Sequence, residues 1–248
     1  MRVLPVFLLI ALLLPAAPAR ADFAAGMAAY EAGDYAATYQ AWRPLAEQGD
    51  SRAQYGMGRL YRYGRGVDQN YETAVAWYTK AARQTEDGDS MRRAVYALGY
   101  MAAHGHGMAK DMAKAECLYR VSAMNGYANG QWALSRVLRA KPGIDFTVFD
   151  WVERAAAQGE VLSMQRLGFI DFMNPYVERA DAYKWTILAA ERGNKDAFRE
   201  LAQIRQSAQE NPNVQKALLE AERKAKAWRA VPEDPPAKPF GVPKECWP

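Results

Sequence analysis

The side chains able to do chemistry are few, and their spacing argues against most of it. The only histidines, His104 and His106, share one stretch, Ala103-His104-Gly105-His106-Gly107. A metal site needs three or four placed ligands, and Asp111 is the only further donor nearby, so the pair reads as substitutions in a surface turn and no metal is assigned. Glu86, Asp87 and Asp89 cluster between Gln84 and Ser90. Acid–base work needs buried, perturbed carboxylates, and this stretch is polar throughout, so a solvated loop is expected. The chain has no Gly-x-Ser-x-Gly, His-Glu-x-x-His, Ser-x-x-Lys or phosphate-binding glycine loop. No catalytic residue and no cofactor is expected. Cys117 and Cys246 are the only cysteines. They can pair in an oxidising compartment, or remain a small core residue and a tail thiol, and both readings stay open.

What positions these residues is a repeat. A Trp or other large residue precedes an Ala-Ala-like pair, with a Gly a few residues on in most copies. The copies are Trp42…Leu45-Ala46…Gly49, Trp77…Ala81-Ala82, Leu118…Ser122-Ala123…Gly126, Trp151…Ala155-Ala156…Gly159 and Trp185…Ala189-Ala190…Gly193. The second small residue recurs at intervals of 36, 41, 33 and 34, a spacing that fits paired-helix units. Between these marks lies a second block, Ala53…Met57-Gly58…Leu60-Tyr61…Gly64-Arg65-Gly66. It recurs as Ala94…Leu98-Gly99…Met101…Gly105-His106-Gly107, and more weakly from Leu134, Leu167 and Leu201. Apolar residues at offsets 0, 4, 7 and 8 form one helical stripe. A small residue at offset 5 lets a neighbouring helix approach, at a cost in helix propensity. Gly-x-Gly then ends the first helix, because Gly tolerates positive φ. The second helix carries the Trp and the small pair, and large against small is how helices interlock.

These residues resemble the Sel1-like repeat, a relative of the tetratricopeptide repeat. The resemblance runs from about Gly26 to Leu201, and its motifs are specific at 51–83 and 92–126. It loosens at 128–159 and 161–193, where Lys141-Pro142-Gly143 and Asn174-Pro175 replace Gly-x-Gly. The resemblance implies an all-α fold, a right-handed α-α superhelix of helix pairs. The expected units are a short first repeat at 22–50 and full repeats at 51–90, 91–126, 127–159 and 160–193. Capping helices follow at 194–230, with a Pro-rich tail at 231–248. In such stacks the first helices line the concave side. Offsets 2, 6 and 9 of those helices point away from the core stripe. They read Tyr55, Arg59, Arg62; Tyr96, Tyr100, Ala103; Trp132, Arg136, Arg139; and Gln165, Phe169, Phe172. The set is aromatic and Arg-rich and contains no acid. Tyr, Trp and Arg dominate binding hot spots, and Arg matches carboxylates with paired hydrogen bonds. The expected function is a scaffold binding a protein or peptide with acidic and apolar groups. The resemblance adds roles in envelope signalling or host interaction. Its rivals are a cell-wall or β-lactam hydrolase and a structural subunit of an envelope assembly. Some Sel1-like proteins linked to β-lactams carry a cysteine pair in every repeat, which two cysteines in all cannot supply.

The ends read differently. Arg2, the apolar run Val6–Leu14 and Ala19-Arg20-Ala21 argue for a signal peptide at 1–21, cleaved after Ala21, and hence a periplasmic or secreted protein. Nine apolar residues are too few to span a bilayer, and no later segment is apolar enough, so no stable membrane insertion is expected once the signal is removed. Without Arg2 and Arg20, 30 basic residues face 28 acidic ones. A charge near +2 gives no bulk reason to expect a nucleic-acid partner. A first capping helix is expected at Lys195–Ser207, then one from Asn211-Pro212, with Asn as N-cap and Pro in the first turn. The last 18 residues hold six prolines, so an extended, unpacked tail is expected, against a docking role for Phe240 and Trp247.

Overall fold

The structure is a computed structural model and describes residues 22–142, 147–233, 236 and 239–248. The expected signal segment lies outside the described residues. Among the described residues the chain is all-helical, with twelve α-helices and no strand. They are α1 (Phe23–Ala32), α2 (Tyr35–Glu47), α3 (Ser51–Tyr63), α4 (Tyr71–Ala82), α5 (Gly88–His104) and α6 (Met112–Met124). There follow α7 (Ala128–Arg139), α8 (Thr147–Ala157), α9 (Val161–Met173), α10 (Arg179–Glu191), α11 (Lys195–Glu210) and α12 (Pro212–Ala227). Consecutive helices pack as pairs and each pair stacks on the next, giving an α-α solenoid. The first capping helix runs one turn beyond the expected Ser207, to Glu210.

Local chemistry explains the boundaries. Asp34, Asp50, Asn70, Asp87, Asp111, Asn194 and Asn211 each accept a backbone N–H in the first turn of the helix they precede. Each such cap contributes about 1 kcal/mol. α3 and α5 end on Gly64 and Gly105 in the left-handed conformation, at φ 63° and 71°. The second glycine of each Gly-x-Gly has a different reason. A Cβ on Gly66 would lie 2.4 Å from the Tyr35 carbonyl oxygen, and one on Gly107 2.4 Å from the Tyr71 carbonyl. The turn therefore rests directly on the start of the preceding unit's second helix, α2 or α4.

Inside each unit a large ring fills the space that a small residue leaves. A Cβ on Gly58 would stand 2.5 Å from the Tyr78 ring, and one on Gly99 2.8 Å from the Tyr119 ring. Trp42 closes on Gly26 and Gly56 in the same way. Trp42, Tyr78, Met57, Leu60, Leu98 and Leu118 are essentially inaccessible to solvent. Between units, buried glutamines tie the turns together. Gln54 donates to the Ala46 carbonyl and accepts from Gln84; Gln131 donates to the Ala123 carbonyl and accepts from Gln158. α12 packs on α10 as well as α11, burying Leu218, Ala221 and Ala225, and Trp228 meets the Trp185 ring edge-on at 6.2 Å.

The tail corrects one expectation, for it is packed. It runs back along the inter-repeat turns and ends in a short 3-10 turn at Lys244–Cys246. Cys246 is bonded to Cys117 on α6, with the two Cα atoms 6.0 Å apart. Proline content did not keep the tail from packing, because its partners lie on earlier helices and turns, among them Asn125 and Gln131 more than a hundred residues before it.

Candidate functional site

The free face of the first helices forms two clefts. The first, of about 370 Å³, is lined from α3 by Tyr55, Arg59, Arg62 and Tyr63, and from α5 by Arg93, Tyr96 and Tyr100, with Tyr78, Tyr127 and Asn129 completing it. Helical period puts Tyr55, Arg59 and Arg62 on one strip of α3. The direct contact of α3 with α5, and of α5 with α7, brings the three strips together. The guanidiniums are held by rings. Arg59 lies 4.7 Å from the Tyr30 ring centroid and donates to the Tyr30 hydroxyl at 2.7 Å. Arg62 lies 4.0 Å from the Tyr100 centroid and 4.9 Å from that of Tyr63. Arg93 pairs with Asp89 at 2.8 Å, but Arg59 and Arg62 make no ion pair among the described residues.

Burial, and then the nearby Tyr127 phenol, pushes the Tyr55 hydroxyl up to about 12. Burial also raises Tyr78, and then Tyr96 and Tyr127. Tyr78 is fully buried, its hydroxyl has no hydrogen-bond partner, and it lines the cleft from below. The arrangement therefore offers, among the described residues, two cations without counter-ions and no carboxylate, together with several phenolic donors and flat apolar ring surface.

The second cleft, of about 410 Å³, takes Arg136 and Arg139 of α7 together with His104, Ala103 and Tyr119. Arg136 and Arg139 also lack an ion pair among the described residues. Arg166 on α9 is held below its ordinary pKa by burial and by the charge of Arg139.

The remaining expected groove residues do not join these clefts. Trp132 is half-buried against the core, its indole N–H buried without a partner. Phe169 and Phe172 are about half exposed on α9, under Arg166 and Arg179 respectively. Gln165 accepts from Asn194. The offset rule missed Tyr78, which the sequence shows only as a core ring on a second helix, and Tyr127, which lies in a turn.

The other candidate groups have structural work. His104 stacks on Tyr100 at 4.0 Å with its Nδ1 2.9 Å from the Tyr100 carbonyl oxygen, and His106 stacks on Tyr71 at 4.4 Å. Asp111 caps α6. No group of three His, Cys, Asp or Glu able to hold a metal occurs among the described residues. Asp87 caps α5 and accepts from Ser51 at 2.8 Å, while Asp89 pairs with Arg92 and Arg93, so Gln84–Asp87 is loop as expected and the stretch from Gly88 on is already helix.

Comparison with known proteins agrees with the geometry. The Sel1 repeat model matches residues 51–85, 92–127 and 177–194. The chain is 26% identical over 173 residues to an exopolysaccharide production negative regulator of Rhizobium meliloti (strain 1021), covering 65% of each chain. It is 38% identical over 82 residues to mouse protein sel-1 homolog 2, covering 33% of this chain and 11% of that one. It is 29% identical over 140 residues to the Arabidopsis thaliana ERAD-associated E3 ubiquitin-protein ligase component HRD3B, covering 49% of this chain and 22% of that one. The chain spans less than two thirds of the length of each of these relatives. The crystal structure of a Sel1 repeat protein from Oxalobacter formigenes superposes with a TM-score of 0.64 at 21% identity, covering 82% of this chain and 84% of that one, a likeness of fold. The chain carries matches to the Sel1 repeat at 51–85, 92–127 and 177–194, set in a stack of helix pairs of the same fold.

Proposed function

We propose that this protein is an exported scaffold that holds an acidic, apolar segment of a protein partner against α3, α5 and α7. One observation carries the reading: Arg59 and Arg62 stand in a concave, phenol-lined cleft with no carboxylate in its lining. Arg is the side chain best fitted to grip a carboxylate with two hydrogen bonds, and the Tyr rings supply rigid contact area. A partner with Asp or Glu beside an aromatic or aliphatic residue satisfies both. The likeness to a bacterial negative regulator supports a role in envelope signalling, and the signal-like residues 1–21 support export.

The test is site-specific photo-crosslinking in cells from Tyr100, compared with Arg120 on the exposed side of α6. Capture of one defined chain from Tyr100, abolished by Arg59→Ala with Arg62→Ala in a folded protein, is the expected result. Capture from Arg120 alone, or capture indifferent to both arginines, refutes it.

A further inference from the structure

The second surface lies along the turns between repeats, away from the concave reading and independent of it. The tail occupies it, and the way it is held is that of a peptide ligand. Proline removes backbone donors, so the segment is gripped at separate points. The Val231 N–H donates to the Ala157 carbonyl at 2.9 Å. The Glu233 carboxylate accepts from Gln131, from Gln158 and from Arg154. Asn125 then grips one residue of the tail at both ends: Phe240 N–H donates to its Oδ1 at 2.9 Å, and its Nδ2 donates to the Phe240 carbonyl at 3.0 Å. A side-chain amide that pairs with both backbone groups of one residue reads an extended chain irrespective of its side chain. Asn125 also donates to the Val121 carbonyl and Gln131 to the Ala123 carbonyl, so both amides are held by the repeats as well as by the tail. Beyond Phe240, Val242 and Trp247 pack on the core of α4 to α6, and Arg83 lies 5.2 Å from the Trp247 ring.

We propose that the inter-repeat edge is a binding track for an extended, proline-interrupted segment carrying an acidic side chain. Its ligand in the oxidised chain is the C-terminal tail of the same molecule, seated through Val231, Glu233 and Phe240 and latched by Cys117–Cys246. A dithiol reductant opens the latch. One thiolate of the reductant attacks a sulfur of the pair, on the side of half-buried Cys117, giving a mixed disulfide; its second thiolate resolves that bond. The protein gains two electrons and two protons as two thiols, and the reductant leaves as a disulfide. Without the cross-link the tail is held only by its point contacts, and its effective concentration at the track falls to that set by its flexible tether.

Amide exchange on the full chain, before and after dithiothreitol, tests the latch. Reduction should cut protection of the Phe240 amide by roughly tenfold or more while α3–α10 stay helical and protected. Undiminished protection at Phe240 overturns the proposal. A labelled synthetic peptide of residues 231–248, with Cys246→Ser, tests the track by fluorescence anisotropy. It should bind the reduced chain and not the oxidised one, and Glu233→Gln in the peptide should weaken it several-fold, a change that leaves the protein itself untouched. No binding to reduced chain, or equal binding to both forms, overturns the track. Loss of helical circular dichroism on reduction overturns the latch as well, since the disulfide would then be holding the solenoid rather than the tail.

Discussion

Gly58→Ala isolates the interlock that places Tyr78 beneath the first cleft. Alanine is the better helix former by about 1 kcal/mol, so on propensity alone the variant would gain stability. The structure reverses the sign. The new Cβ would lie 2.5 Å from two ring carbons of Tyr78 and 3.0 Å from a third. Van der Waals contact between carbons lies near 3.5–4 Å, so the ring must retreat by roughly 1 Å. That retreat disturbs its neighbours, because Tyr78 is wholly buried and packs on the Tyr55 ring at 5.8 Å. Overpacking of this kind costs about 1–3 kcal/mol, and after the propensity gain a net loss of up to about 2 kcal/mol remains. At roughly 2–4 °C per kcal/mol for a chain of this length, thermal unfolding should fall by up to about 8 °C. A double-mutant cycle with Tyr78→Ala decides the cause. In that background the ring is gone, and Gly58→Ala should turn neutral or stabilising by up to about 1 kcal/mol. Equal destabilisation in both backgrounds would refute the argument that ring and glycine are matched.

Four further outcomes follow from the same coordinates. Arg62→Ala should leave thermal stability within about 1 kcal/mol, the range of an exposed cation–π pair, yet reduce partner capture from Tyr100 by roughly tenfold or more; a fall in both together would make Arg62 structural. Tyr78→Phe removes a buried hydroxyl with no partner and should stabilise the free protein by about 1 kcal/mol in denaturant melts, whereas destabilisation would show that the hydroxyl is bonded. At Asp87, burial pushes the carboxyl up but hydrogen bonds from Ser90 and Ser51 outweigh it, and the net value lies below the ordinary range. A carboxylate depressed in the fold contributes stability above its unfolded value, near pH 4, and that stability disappears as pH falls through the folded value. Asp87→Asn keeps the cap and loses the titration, so its melting temperature should fall less steeply than wild type below about pH 4; parallel curves would sink the assignment. Removing both cysteines should cost about 2–5 kcal/mol in thermal melts without reductant, since the cross-link spans 129 residues, and should abolish any effect of added reductant.

The sequence discloses the parts of this protein that depend on local period and spacing. The recurring Trp and small pairs, the Gly-x-Gly caps and the glycine at offset 5 are each visible within one unit, and each does in the structure what its chemistry implies. The cleft was half legible. Tyr55, Arg59, Arg62, Tyr96 and Tyr100 fall on the free strip of two successive first helices that touch, so helical period brings them together. The same offsets fail at Phe169 and Phe172, because α7 and α9 make weaker contact than α3 with α5 or α5 with α7, and the cleft does not continue onto α9. Tyr78 and Tyr127 come from a second helix and a turn, where the period of the first helices carries no information. The tail was the largest departure. Proline content describes what a segment cannot do with its own backbone; it is silent on Asn125, 115 residues away, which supplies the missing pairing.

Gln54 and Gln131 show why the tail belongs to the fold rather than hanging from it. They occupy equivalent positions, one residue into the apolar stripe, and each donates to a carbonyl at the end of the preceding unit, Ala46 and Ala123. Each also accepts an N–H from the next turn's glutamine, Gln84 or Gln158. The difference is at the amide nitrogen: Gln131 donates also to Glu233, and Gln158 and Arg154 converge on that same carboxylate. The chain thus places a tail acid at the turn where two glutamine amides and a guanidinium meet. In an array whose units touch only their neighbours, stability is close to a sum of local terms, and a middle unit can open without the rest. A strap fixed at Ala157, Gln131, Asn125 and Cys117 crosses the boundary between the 91–126 and 127–159 units and breaks that locality, because opening either unit now strains the segment that holds the other. The Cys117–Cys246 cross-link therefore determines more than where the tail lies: it decides whether the central repeats, and the cleft that α5 and α7 help to form, open singly or together.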